Sequence, residues 1–181
     1  MTPIAPLSSP YAPELQATFD RLMPPGFEPL TLFRTLAQSS RVFNRFLAGS
    51  LLDEGPLPLR QREIIILRTC ALNRCEYEWG VHVAVFGGRA AFGPVHVDAS
   101  LTGNRSPWSE AEAALVAACE DLHQHTGLSD ATWALLRPHF DDAQILEVIS
   151  LVGFYRTVSL QANSLRLAPE PFAPRFPADF L

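Results

Sequence analysis

The chain has 181 residues, of which 48% are hydrophobic and 18% charged, with a formal net charge of −5. That is one domain's length and enough apolar side chain for a core, with some left over for contact between subunits. No Lys/Arg cluster supplies the basic footprint that nucleic acid requires, charged or turn residues break every greasy run short of a membrane span, and the N-terminus MTPIAPLSSPYAPE lacks the charge and apolar run of a signal peptide.

The 16 prolines crowd residues 1–29, return at 56–58 and again from 169 to 177. Residues 1–29 read as a proline-rich arm and 169–181 as an extended tail, both short of internal hydrogen bonds. A tail carrying Phe172, Phe176 and Phe180 is expected to pack on its own body or on a neighbouring subunit.

Between the arms the pattern is helical. Glu14–Leu22 and Leu30–Ser39 are short segments. Val42–Leu52 follows and ends in the turn residues Asp53-Glu54-Gly55-Pro56. Leu59–Asn73 contains Ile64-Ile65-Ile66-Leu67, which alone could pass for a strand; its length and the proline at its entrance favour a helix. Glu76–Ala90 is a second apolar helix weakened at its end by Gly87-Gly88. Residues 92–106 read as a loop with one helical turn at most. Ser109 with Glu112 opens a helix reaching about Gln124, Ser129 caps Ala131–His139, and Asp141 with Gln144 caps the long segment Ala143–Arg166. Sustained period-two alternation is missing, so the fold class is all-α in a single domain.

Chemistry concentrates in the middle pair of helices. Glu63, Leu67, Cys70 and Arg74 share one stripe of the first, and a carboxylate among isoleucines needs a partner or a raised pKa. Glu78 and His82 share a face of the second, four residues apart. If the two helices fold back on each other at 73–75, Glu63 comes alongside that pair. The plainer alternative is an i,i+4 Glu–His pair on a solvated face, which contributes a few tenths of a kcal/mol. Two ligands on one helix are too few for a metal site, and no cofactor-binding set is visible, so neither a metal nor a cofactor is expected. Three cysteines, Cys70, Cys75 and Cys119, lack disulfide-framework spacing, which fits reduced thiols and a cytoplasmic setting.

The stretch 57–93, LPLRQREIIILRTCALNRCEYEWGVHVAVFGGRAAFG, resembles the core segment of the carboxymuconolactone decarboxylase family, which includes alkylhydroperoxidase D (AhpD). The likeness rests on the Arg60–Glu63 entrance, the aliphatic helix, Glu-Tyr-Glu-Trp at 76–79, and His82. Later stretches around 108–133 and 153–167 resemble longer members of the same family. The resemblance implies an AhpD-like bundle of packed helical hairpins and a homo-oligomer with its site near subunit contacts. It also separates two chemistries. Peroxide-reducing members carry two cysteines as Cys-x-x-Cys between the Glu and the His. Here Cys75 stands in the first of those positions and Glu78 in the second, the pattern of the decarboxylase-like branch. A lone thiol cannot close an internal disulfide cycle.

Catalysis is therefore expected from His82, Glu78 and Glu63 as a proton-transfer unit. The reaction would be decarboxylation or isomerisation of a small organic acid or lactone, its carboxylate clamped by Arg60, Arg62 or Arg68. Each arginine is equally a candidate structural ion pair. Cys75, Tyr77 and Trp79 complete the candidate substrate-binding set, although such residues are more simply core anchors. A thiol-dependent peroxidase of AhpD type is one rival. A non-enzymatic ligand-binding oligomer is another, with Arg156, Ser159 and Asn163 on one stripe of the last helix lining a pocket or a subunit contact.

Overall fold

In a computed structural model that describes residues 2–180, every regular element is an α-helix. In chain order these are α1 (Pro13–Leu22), α2 (Thr31–Leu36), α3 (Ser40–Gly49), α4 (Leu59–Leu72), α5 (Glu76–Phe86), α6 (Pro94–Thr102), α7 (Glu110–His125), α8 (Asp130–Leu136) and α9 (Asp142–Ser164).

The architecture is organised around α4. Every residue from Arg62 to Ala71 is buried, because α5, α6, α7 and α9 surround the helix on all sides. A helix covered all round has no polar stripe, which is why its sequence shows little amphipathic periodicity and its isoleucine run looks strand-like. Pro58 stands at its N-cap, where a missing N–H costs nothing. Its end is a Schellman turn. Arg74 adopts the left-handed conformation (φ 51°), its N–H reaches the Ala71 carbonyl at 3.0 Å, and the Cys75 N–H reaches the Cys70 carbonyl at 2.8 Å. That turn folds α5 back along α4.

Predicted boundaries shift at several ends. α3 stops at Gly49 rather than Leu52, and α5 at Phe86, where Gly87-Gly88 gives way to a run of turns. The proline-rich arm of residues 1–29 holds α1, with Pro13 in its first turn. The caps at Ser109, Ser129 and Asp141 each accept the backbone N–H three residues on. α9 is long and apolar enough to cross a membrane by length and composition, against the sequence expectation; here it packs on α4, α5 and α7 and contributes Leu151, Tyr155 and Val158 to the core.

Residues 92–106 depart furthest from expectation. Instead of a loop they hold the nine-residue α6. Pro94 in its first turn and Gly103 in the left-handed region (φ 76°) bound it, and the Arg68 guanidinium donates to the carbonyls of Ser100 and Leu101 at its C-terminal end. A cation there complements the helix dipole.

The tail is not free. Glu170 accepts hydrogen bonds from the Thr31 N–H (2.6 Å) and the Tyr77 hydroxyl (2.5 Å), pinning the segment to α2 and α5. Phe176 is buried against Trp79, ring centroids 5.1 Å apart. The Pro174 carbonyl oxygen lies 2.5 Å from where a Cβ on residue 80 would stand, so the crossing of tail over α5 requires Gly80.

Candidate active site

The α4–α5 hairpin brings the three sequence-derived residues together. His82 Nδ1 lies 2.7 Å from Glu63 Oε2, and His82 Nε2 lies 3.4 Å from Glu78 Oε1. Glu63 is 0% exposed, His82 3% and Glu78 6%, so the solvated-face alternative does not describe this pair. The imidazole is wedged between two aromatic rings. Tyr155 from α9 meets it edge-on (5.1 Å, 89°), and Phe86 lies one turn further along α5 (5.1 Å).

Burial pushes the imidazole pKa down, but Glu63, through charge and hydrogen bond, and then Glu78 outweigh it and raise the group to about 9. His82 is an imidazolium at neutral pH, hydrogen-bonded to Glu63 through Nδ1 and in ionic contact with Glu78 through Nε2. Glu63 has a second cationic neighbour, Arg62 Nε at 3.6 Å from Oε1. Two carboxylates thus face two cations in a buried cluster. Glu78 Oε2, Glu63 Oε1 and Arg62 Nε have no hydrogen-bond partner among the described residues.

A cavity of about 530 Å³ opens beside this cluster. Its walls are almost wholly apolar: Phe33 and Phe46 from α2 and α3, Val81 and Phe86 from α5, Phe154 and Tyr155 from α9. Phe27 and Phe172, both largely exposed, stand among the lining residues from the N-terminal segment and the tail. The polar lining comes from Ser50, Glu78, His82 and the hydroxyl-bearing Tyr155, and no Lys or Arg is among the described lining residues.

The arginines expected to clamp an anion are bound elsewhere. Arg60 donates to Glu112 (2.5 Å) and to the carbonyls of Ala90 and Ala91, while its guanidinium lies over the Phe92 and Trp108 rings. Arg62 donates to the carbonyls of Leu52 and Asp53. Arg68 joins α4 to Glu120 of α7 (2.7 Å) and to the end of α6. Their multiple protein partners make them cross-braces, and none reaches the cavity wall.

Cys75, Tyr77 and Trp79 do not line the cavity either. Tyr77 faces Glu170 and the Leu32 N–H, and burial together with Glu170 drives its phenol far above the usual range. The Trp79 indole donates to Ser100 Oγ at 3.0 Å. Cys75 is fully buried against Cys70, the side-chain contact that accompanies the Schellman turn. A hydrogen bond from Cys70 lowers the Cys75 pKa against the opposing effect of burial, whereas burial first, and then Cys75, pushes Cys70 well up. On α9, Ser159 bonds to the Tyr155 carbonyl and Asn163 to the Asn73 carbonyl. Both bonds are made within the protein, away from the cavity.

Sequence reasoning missed the aromatic wall. Phe46, Phe86 and Phe154 with Tyr155 come from three distant stretches, and their only signal was a Phe count of 12 with no repeating pattern.

Comparison with known proteins bears on the segment that builds this site. The family model described as the carboxymuconolactone decarboxylase family matches residues 37–91, spanning α3 to α5. No curated protein matches the chain. Among solved structures, an uncharacterized peroxidase-related protein from Silicibacter sp. TM1040 superposes with a TM-score of 0.82 at 19% identity, covering 98% of this chain and 100% of its own. An alkylhydroperoxidase AhpD core protein from Ralstonia eutropha JMP134, also peroxidase-related, gives 0.81 at 20% identity, covering 94% of this chain and 95% of its own. The debrominase Bmp8 in complex with 2,3,4-tribromopyrrole gives 0.74 at 14% identity over 94% and 93%. At these identities the likeness is one of fold, and the fold is AhpD-like.

Proposed function

We propose that this chain, an AhpD-like fold built around a carboxymuconolactone decarboxylase family segment, is an enzyme that moves a proton on a small organic molecule held in the aromatic cavity. The observation that carries this reading is the buried relay Glu63–His82–Glu78, with Glu78 and His82 at the cavity wall.

The residues divide the work by position. Glu78, the carboxylate that lines the cavity, takes a proton from a bound molecule and returns it. His82, with Nε2 3.4 Å from Oε1 of that carboxylate, stabilises the anion before transfer and can give up its own proton once Glu78 needs one. Glu63 fixes the imidazole ring and keeps it charged. Phe86, Phe154 and Tyr155 exclude water, which strengthens each of these interactions.

Of the two family-type outcomes, isomerisation has the better support. Decarboxylation needs a group to hold the departing carboxylate, and the imidazolium among the lining residues, His82, is already paired with Glu63 and Glu78. Isomerisation of a β,γ-unsaturated lactone needs only a base to remove the proton next to the carbonyl and an acid to return it at the far end of the enolate.

The test is proton exchange and double-bond migration in a β,γ-unsaturated γ-lactone in D₂O, followed by NMR. Wild type should accelerate both over buffer. Glu78→Gln and His82→Gln should each lose about 10²–10⁴ in rate, the usual worth of general acid–base catalysis. Equal rates in wild type and both variants would overturn the proposal, as would no acceleration by wild type.

A further inference from the structure

We propose that the cavity selects an uncharged, flat, unsaturated molecule that presents one acidic hydrogen to Glu78, and that it rejects carboxylates. This rests on the assignment of the cavity as the site of proton transfer and names its substrate class.

Three independent features point the same way. First, the charges around the cavity are already paired: Glu63 and Glu78 against His82 and Arg62. A bound carboxylate would add an unmatched negative charge beside Glu78 in an apolar enclosure, where charge is most costly. Second, the three arginines able to answer such a charge are each held by carbonyls or carboxylates away from the wall. Third, the acidic side chain among the lining residues, Glu78, is an acceptor. It asks for a hydrogen from the ligand, and a carboxylate has none to give.

Shape supplies the rest. Phe33, Phe46, Phe86 and Phe154 present ring faces and edges from four helices. Such walls favour a planar unsaturated ligand, which gains offset and edge-to-face contacts that an aliphatic chain does not. The volume of about 530 Å³ accommodates one or two fused rings.

Binding of three charge variants of one ring system, measured by calorimetry near pH 7, tests the proposal without any need for turnover. 2-Naphthol should bind wild type at least about tenfold more tightly than 2-naphthoate, the usual worth of a hydrogen bond to a charged group. It should also bind more tightly than 2-naphthylmethylammonium, because a third cation unbalances the cluster. Glu78→Gln should weaken 2-naphthol by about tenfold and leave naphthalene itself unchanged. A preference for 2-naphthoate or for the ammonium compound in wild type would overturn the proposal, and so would failure of all the naphthalenes to bind. The two readings separate cleanly. Selective 2-naphthol binding without lactone isomerisation removes only the proton-transfer function. Active isomerisation with a preference for carboxylates removes only the substrate class.

Discussion

The buried imidazole makes folding stability depend on pH in a way that can be worked out in advance. His82 titrates near 6.5 in an unfolded chain and at about 9 in the folded protein. The folded state therefore holds that proton more tightly by about 3 kcal/mol, at about 1.4 kcal/mol for each tenfold in proton affinity. A folded pKa raised above the unfolded one gives stability that is fully present below about pH 6.5 and is lost as pH rises through about 9. For a domain of this size the loss corresponds to a fall in Tm of about 6–12 °C. Urea unfolding at about pH 6, 7.5 and 9.5 measures it, with His82→Gln as the reference that cancels the other groups whose titration changes on folding. Wild type should lose stability relative to His82→Gln across the range, by about 3 kcal/mol in all. Parallel curves for the two proteins would refute the charged imidazole held between two carboxylates and the relay built on it.

Further expectations concern the braces around the site. Arg68→Met breaks a buried ion pair and frees two carbonyls at the end of α6, so it should cost about 3–5 kcal/mol in urea unfolding while the 2-naphthol affinity of the folded variant stays unchanged; selective loss of ligand binding would return Arg68 to the site. Cys70, Cys75 and Cys119 are all buried free thiols, so a disulfide reagent should find almost none within minutes in the native protein and three after unfolding. Rapid modification of Cys75 in the native state, with dithiol-coupled peroxide consumption lost in Cys75→Ser, would restore the peroxidase reading. Phe176→Ala removes the tail's anchor on Trp79 and should destabilise by about 3–5 kcal/mol. By loosening Phe172 beside the cavity it should also raise the ligand's dissociation rate in stopped flow.

How much was legible in the sequence depended on whether the signal was local. Caps at Ser109, Ser129 and Asp141 announce themselves by a side chain three residues from its partner, and all three helix starts lie within a residue of expectation. The Glu78–His82 face is likewise a four-residue matter. Glu63 required one further step, a reversal at 73–75, and the chain makes it through a left-handed Arg74 where glycine would have been the obvious marker. The α6 helix carried a legible Pro94 start and Gly103 stop, but the nine residues between them are too few to show a period. The roles of the arginines were not legible at all. Whether a guanidinium meets a ligand or a backbone carbonyl depends on what a distant segment places in front of it: residues 52–53 for Arg62, 90–91 for Arg60 and 100–101 for Arg68.

The same turn that assembles the relay also decides which chemistry it can serve. In the Schellman geometry the residue after the left-handed position packs back on the helix it has just left, which turns Cys75 toward Cys70 and into the core. The next inward-facing position, one turn on, is Glu78, and this one does reach the cavity. A thiol in that place would present a nucleophile to an incoming oxidant. A carboxylate presents a base, and the imidazolium behind it supplies a proton rather than a second electron pair. His82 and Glu63 would serve either occupant equally well, since each needs only a charged group held in register. On this argument the identity of residue 78 sets the reaction class. Glu78→Cys, which places a thiol at the cavity with Cys75 three residues before it, should abolish lactone isomerisation and bring the first measurable dithiol-dependent peroxide turnover. Isomerisation surviving in Glu78→Cys would show that the base is another group, and the relay as drawn here would fall.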